Sequence, residues 1–161
     1  MRTIDDFTRP LEYLSPLDDP LGRIVRDWAE TYVIPHRRKF DEDWKAHHLI
    51  EPAFKKLMGE LGMQRVLFPE DLGGWGLGRS NYVGTASYRL MEEVARADSG
   101  MAVAFGVVYW PMVMIAMEPH VNRELCEEFA PIFCGPTEAR FAANAMTEAQ
   151  GGADMGKMEK G

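Results

Sequence analysis

The chain has 161 residues, 46% of them hydrophobic and 27% charged, which supplies a core for one domain and excludes wholesale disorder. Eighteen Lys and Arg against 25 Asp and Glu leave a net charge of -7, a poor match for a protein that tracks nucleic-acid phosphates. Two cysteines, Cys126 and Cys134, are too few for a disulfide scaffold or a four-cysteine zinc site and fit a reducing compartment.

The first residues, Met1-Arg2-Thr3-Ile4-Asp5-Asp6, place acid where a signal peptide needs base and then an apolar run. No targeting signal is read there, and the expected location is the cytoplasm, or the mitochondrial matrix for a eukaryotic chain. Residues 1–18 read as an extended lead-in with Pro10 and Pro16. Asp19-Pro20 then combines an N-cap acid with proline at the first helical position. Leu21, Ile24, Val25, Trp28 and Tyr32 recur at helical spacing, and Pro35 should interrupt or bend that helix. A second helix is expected over 51–61, with Phe54, Leu57, Met58 and Leu61 as its apolar stripe and Gly62 as its stop.

Residues 63–79 carry turn chemistry and end with four glycines in six positions. Ser80 can cap the next helix, whose buried face is expected at Val83, Ala86, Leu90, Met91 and Val94, with Glu92, Glu93, Arg96 and Asp98 towards the polar side. Residues 99–117 contain no charge, which is long enough to test the membrane question. Gly100, Gly106 and Pro111 interrupt the stretch and no Lys/Arg cluster flanks it, so a helix buried inside a domain is the better reading. A further helix over 119–130 should bury Val121, Leu125 and Phe129 and end at Pro131. Beyond Cys134-Gly135-Pro136 the helical pattern stops, and the segment from Arg140 to Met146 reads as a strand. The expected fold is therefore all-α over 1–136, followed over 137–161 by the first strand and turn of an incomplete β domain.

The histidines show no metal-ligand spacing, and the cysteines read as small buried apolar groups. The basic run from His36 to Lys39 is neutralised at once by Asp41, Glu42 and Asp43, and the methionines of 101–117 read as core filler. Two segments stand out. The glycine-rich loop over 69–78 matches neither a phosphate-binding loop nor a dinucleotide fingerprint. In Ala145-Met146-Thr147-Glu148-Ala149-Gln150-Gly151-Gly152-Ala153-Asp154, a strand ends in a hydroxyl residue and glycines follow. That arrangement is either an anion-binding nest of free amides or a simple hairpin turn.

Taken in order, four pieces resemble the acyl-CoA dehydrogenase family. They are Leu57-Met58-Gly59-Glu60-Leu61-Gly62, then Phe68-Pro69-Glu70-Asp71-Leu72-Gly73-Gly74-Trp75-Gly76-Leu77, then Met91-Glu92-Glu93-Val94-Ala95-Arg96-Ala97-Asp98, and last Met146-Thr147-Glu148 with Gly151-Gly152-Ala153-Asp154. The resemblance implies an N-terminal helical domain that a middle β domain and a C-terminal helical bundle follow in the complete family fold. It implies α,β-dehydrogenation of an acyl-CoA thioester: a glutamate takes the α-proton and the β-hydride passes to bound FAD. It also implies an electron-transfer flavoprotein as acceptor, a homotetramer in the complete enzyme, and neither nucleic acid nor a membrane span.

By the same resemblance, Met146 and Thr147 stand where the flavin ring is contacted, and Gly152 and Ala153 stand near the flavin pyrophosphate and substrate. Ala153 replaces the family's usual serine, a loss of about 1 kcal/mol of hydrogen bonding. Ala149 replaces the usual proline, which loosens the turn. Ala102, Val103 and Gly106 are the expected acyl-facing positions, with helix packing as their alternative role. No catalytic residue is assigned, because the family's basic glutamate lies on the C-terminal bundle. Three alternatives stay open: a non-catalytic helical interaction module, a short subunit completed by a partner chain, and a related flavin-dependent oxidase or hydroxylase.

Overall fold

The computed structural model describes residues 20–42, 48–80, 83–135 and 137–143. Helix α1 (Pro20–Trp28) leads into a widened π turn over Ala29–Val33, a 3-10 turn over Ile34–His36 and helix α2 (Arg37–Glu42). The change of helical pitch falls at Pro35, where the missing amide and the clash with the preceding turn prevent a continuous α-helix. Helix α3 (Ile50–Lys55) continues as a π turn over Lys56–Glu60, and Gly62, at φ 75°, ends it in the left-handed conformation. Helices α4 (Val83–Ala97), α5 (Ser99–Ala116) and α6 (Arg123–Phe133) complete the order.

Helix α4 lies at the centre, packed against α1 on one side and α5 on the other, and α6 packs beyond α5. The core runs through all of them: Val25 and Trp28 from α1, Leu57 and Met58 from the second helical segment, Leu90 and Val94 from α4, Phe105 and Met112 from α5. The Trp28 indole donates to the Ala53 carbonyl at 2.8 Å, tying α1 to α3. Arg37 donates from α2 to the carbonyls of Ala97 and Arg96, so a cation closes the carbonyl end of α4.

The glycine-rich stretch braces these helices. Its amides are spent on its own surroundings: Gly74 donates to Pro69, Trp75 to Arg65, Gly76 to Phe68 and Leu77 to Val66. A Cβ at Gly78 would lie 2.0 Å from the Ala116 carbonyl oxygen, so only glycine lets the loop touch the end of α5.

Several expectations need correction. Helix α6 starts at Arg123, capped by the Asn122 side chain, and runs through Pro131 to Phe133. Its buried face is Cys126, Ala130 and Phe133, while Val121, Leu125 and Phe129 are only partly covered. Pro131 sits in the last turn, where its fixed φ is helical and it gives up the hydrogen bond its amide would have made. Glu93 is buried rather than on a polar face. Residues 137–143 hold no strand: the backbone there is irregular and pinned to the helical body, with the Gln64 amide donating to the Glu138 carbonyl and the Arg140 amide donating to the Gln64 side chain. Phe141 stacks on Phe54 with ring centroids 5.5 Å apart. The remainder of the expected strand lies outside the described residues.

Candidate functional site

Helix α5 is the least polar of the described elements. Asp98 caps it by accepting from the Met101 amide at 2.8 Å. Met101, Ala102, Phe105, Tyr109, Met112 and Ala116 form its buried face. The opposite face is apolar and exposed: Val103, Val107, Trp110 and Met114 follow one another at helical spacing, each at least half accessible. The helix is long and apolar enough to cross a membrane, yet one whole side of it is packed into the core.

Between these two faces, α5 and α4 enclose a groove of about 550 Å³. Gly106, Trp110 and Val113 line it from α5, Gly84, Tyr88 and Met91 from α4. None of the groove's lining residues is charged, so it suits an uncharged apolar guest and would penalise an ionised one. Tyr109 also borders it; its hydroxyl is buried and has no hydrogen-bond partner among the described residues. Burial alone pushes its ionisation far above the usual tyrosine range, so the phenol stays neutral.

The two glycines differ from those of the brace. A Cβ at Gly84 would meet nothing within 4 Å, and one at Gly106 would meet only the Met91 methyl at 3.7 Å. Neither is required by packing or by φ, and each costs its helix roughly 1 kcal/mol against alanine.

The three acyl-facing expectations separate. Gly106 lines the groove, Ala102 is buried in the core and does not line it, and Val103 stands on the exposed face at 69% accessibility. The four flavin-contact expectations, Met146, Thr147, Gly152 and Ala153, lie outside the described residues. In the glycine loop the amides of residues 72–77 already donate to carbonyls, so they do not form a free phosphate cradle. No group of three or more His, Cys, Asp or Glu there could hold a metal ion. The aromatic rim of Tyr88 and Trp110 was not anticipated. Its signal is the pairing of large aromatics with glycines one turn away on the same helices, at 84 and 88 and at 106 and 110.

A charged cluster locks α4 to α1. Glu93 accepts from Arg26 at 2.5 and 3.0 Å and from Arg96 at 3.0 Å, and Arg96 also reaches Glu30 at 2.9 Å. Burial would raise the Glu93 pKa, but the two guanidiniums outweigh it and hold the carboxyl below its ordinary 4.5. This ionised, fully engaged carboxylate is a structural anchor. The cysteines are structural too: Cys126 and Cys134 are free and buried, and burial pushes the Cys134 thiol up to about 11.

The family model described as the acyl-CoA dehydrogenase N-terminal domain matches residues 19–135. The Bacillus subtilis (strain 168) protein named "Probable acyl-CoA dehydrogenase YngJ" is 30% identical over 138 residues, covering 83% of this chain and 32% of its own length. The mitochondrial short-chain specific acyl-CoA dehydrogenase of Mus musculus is 34% identical over 88 residues, covering 54% of this chain and 19% of its own. The chain thus spans at most about a third of the length of these relatives. No solved structure matches it significantly. On the match across the whole helical body, the chain belongs to the acyl-CoA dehydrogenase family and carries that family's N-terminal helical domain.

Proposed function

We propose that the chain is the N-terminal portion of an FAD-dependent acyl-CoA dehydrogenase, an oxidoreductase that removes hydrogen from the α and β carbons of an acyl-CoA thioester. The observation that carries this reading is the uncharged groove at Gly106, on the helix where the resemblance expects acyl contacts. Gly106 contacts the acyl group directly, Ala102 packs on the buried side of the same helix, and Val103 faces whatever covers the outer side of α5. FAD, held through Met146, Thr147, Gly152 and Ala153, supplies the hydride acceptor in the complete enzyme. The acceptor implied for the bound flavin would be an electron-transfer flavoprotein, and the complete enzyme would be a tetramer.

The resemblance assigns no glutamate of this chain as the base that takes the α-proton, and on this reading the chain alone is inactive. Glu93, the most buried carboxylate among the described residues, is engaged by two arginines and is not free to accept a proton at neutral pH. Titration of the chain with octanoyl-CoA and FAD, followed by an assay with an artificial electron acceptor, tests the proposal. The expected result is acyl-CoA binding, weak or absent FAD binding, and no turnover. Turnover by the chain alone would refute its inactivity, and failure to bind any acyl-CoA would refute the acyl role of α5.

A further inference from the structure

We infer that Gln64 is a positioning residue for the cofactor: its side-chain amide holds residues 138–140 on the helical body and so fixes where the segment that the proposed function assigns to the flavin departs from it. This role rests on that function and goes beyond it by naming the residue that couples the helical body to the flavin contacts.

Gln64 sits in the 3-10 turn after the second helical segment and is 1% exposed. A buried amide costs free energy unless it is hydrogen-bonded, so its partners define its purpose. Its Nε2 donates to the Glu138 carbonyl at 3.1 Å, and its Oε1 accepts from the Arg140 amide at 2.8 Å. Those two main-chain groups flank Ala139, and one planar amide engages both, as a single residue of a parallel neighbouring strand would. The bonds reach backbone 74 and 76 residues away, in a stretch with no helix or strand of its own to hold it.

Two further contacts from the same helical segment act with Gln64. A Cβ at Gly59 would lie 2.2 Å from the Thr137 carbonyl oxygen and 2.7 Å from the Ala139 nitrogen, so only glycine lets residues 137–139 lie against the helix. Phe141 stacks on Phe54, and this is the last hold on the chain among the described residues. Met146 follows five residues later, and five residues of fully extended chain reach at most about 18 Å. Whatever sets Phe141 therefore bounds the reach of the flavin contacts. The groove lies on α4 and α5 of the same body, so the staple puts both halves of the proposed site in one frame.

Removing the amide breaks two hydrogen bonds, each a factor of about five in the ratio of held to released segment. A cofactor that binds only the held form loses apparent affinity in proportion to the population of that form.

The test uses the 161-residue chain with nitroxide labels on cysteines introduced at Arg38, whose side chain is 93% exposed, and at Ala143, also exposed; the native cysteines are buried. Electron paramagnetic resonance gives the distance between the labels. Hydrogen exchange reports on the Arg140 amide, and quenching of flavin fluorescence gives the affinity for FAD. The parent should show one narrow distance and weak FAD binding. Gln64→Met, of similar volume and without an amide, should broaden the distance, speed exchange of the Arg140 amide by at least about tenfold and weaken FAD binding by at least about fivefold. Exchange of the α4 amides and octanoyl-CoA affinity should not change. Phe141→Ala removes a half-exposed ring from the same staple and should move the same readouts in the same direction, so the test stands even where Gln64→Met does not fold. An unchanged distance in both variants overturns the staple. A broadened distance with FAD affinity at the parent level, or no FAD binding by the parent, overturns the cofactor role; where octanoyl-CoA still binds, the acyl-CoA dehydrogenase reading stands. Failure of the parent to bind octanoyl-CoA removes the acyl reading instead, while the distance still decides the staple.

Discussion

Glu93 shows how much a single side chain can settle. Its carboxylate is buried, and it survives as an ion because Arg26 and Arg96 close on it from two helices. Removing one member of a fully buried ion cluster costs about 3–5 kcal/mol. Both arginines are about two-fifths exposed, so solvent screens the pair and about 1–3 kcal/mol is expected for Glu93→Gln at pH 7. The pH dependence follows from the lowered pKa. The stabilisation is present above the ordinary glutamate value of 4.5 and is lost as pH falls through the lower folded-state value. Urea unfolding at pH 7 and again below pH 4 checks this: the gap between parent and Glu93→Gln should narrow on acidification, and a constant gap would contradict the ion-pair account. Tyr109 makes the opposite case. Its hydroxyl is buried without a partner among the described residues, so Tyr109→Phe removes a desolvation penalty and no hydrogen bond. Stability should stay unchanged or rise by about 1 kcal/mol. A clear loss would show that the hydroxyl has a partner in solution.

At the level of elements, the glycines divide by what surrounds them. Gly78 admits no Cβ, because the Ala116 and Leu67 carbonyls already occupy that place at 2.0 and 2.5 Å. Gly78→Ala must move the loop off the end of α5, at an expected cost of about 2–4 kcal/mol. Gly84→Ala meets nothing and should gain about 0.5–1 kcal/mol from helix propensity alone. Paired thermal melts decide the matter, and equal effects of the two changes would contradict it. Sequence alone could not separate these positions, since no local pattern shows what surrounds a glycine in the fold. What did show in the sequence was periodicity: Val25 and Trp28, Leu57 and Met58, Leu90 and Val94 all point inward as their spacing requires. Glu93 was misplaced because its burial depends on Arg26, 67 residues away, which no local pattern reveals. The face of α6 was misjudged by one position, because burial there is set by long-range partners, Phe68 stacked on Phe133 and the Ile115 carbonyl that accepts from Cys126, rather than by the size of Leu125 and Phe129. Gly106 was legible as a small apolar wall residue; the groove was not, since it needs Gly84 from the neighbouring helix.

At the scale of the whole molecule, the outstanding feature is the bare side of α5. Val103, Val107, Trp110 and Met114 form one continuous stripe, and Tyr88 of α4, 71% exposed, adds to the apolar surface of this helix pair. Scattered apolar side chains are ordinary on a protein surface, but an aligned set on a charge-free helix is a contiguous patch. Under the proposed function, this is the side that the rest of a complete enzyme would cover, since the chain spans 32% of the length of its Bacillus subtilis relative. In isolation the patch meets water. The chain should therefore enhance the fluorescence of a hydrophobic dye and show concentration-dependent association in sedimentation. Val107→Glu with Met114→Glu should suppress both, because two like charges break the stripe while touching none of the buried face of α5. Far-ultraviolet circular dichroism should be unchanged in that double variant, which separates loss of a sticky surface from loss of the fold. A parent chain that stays monomeric at high concentration and binds no dye would mean that the stripe is covered within the chain itself, and the argument for a missing partner surface would fall with it.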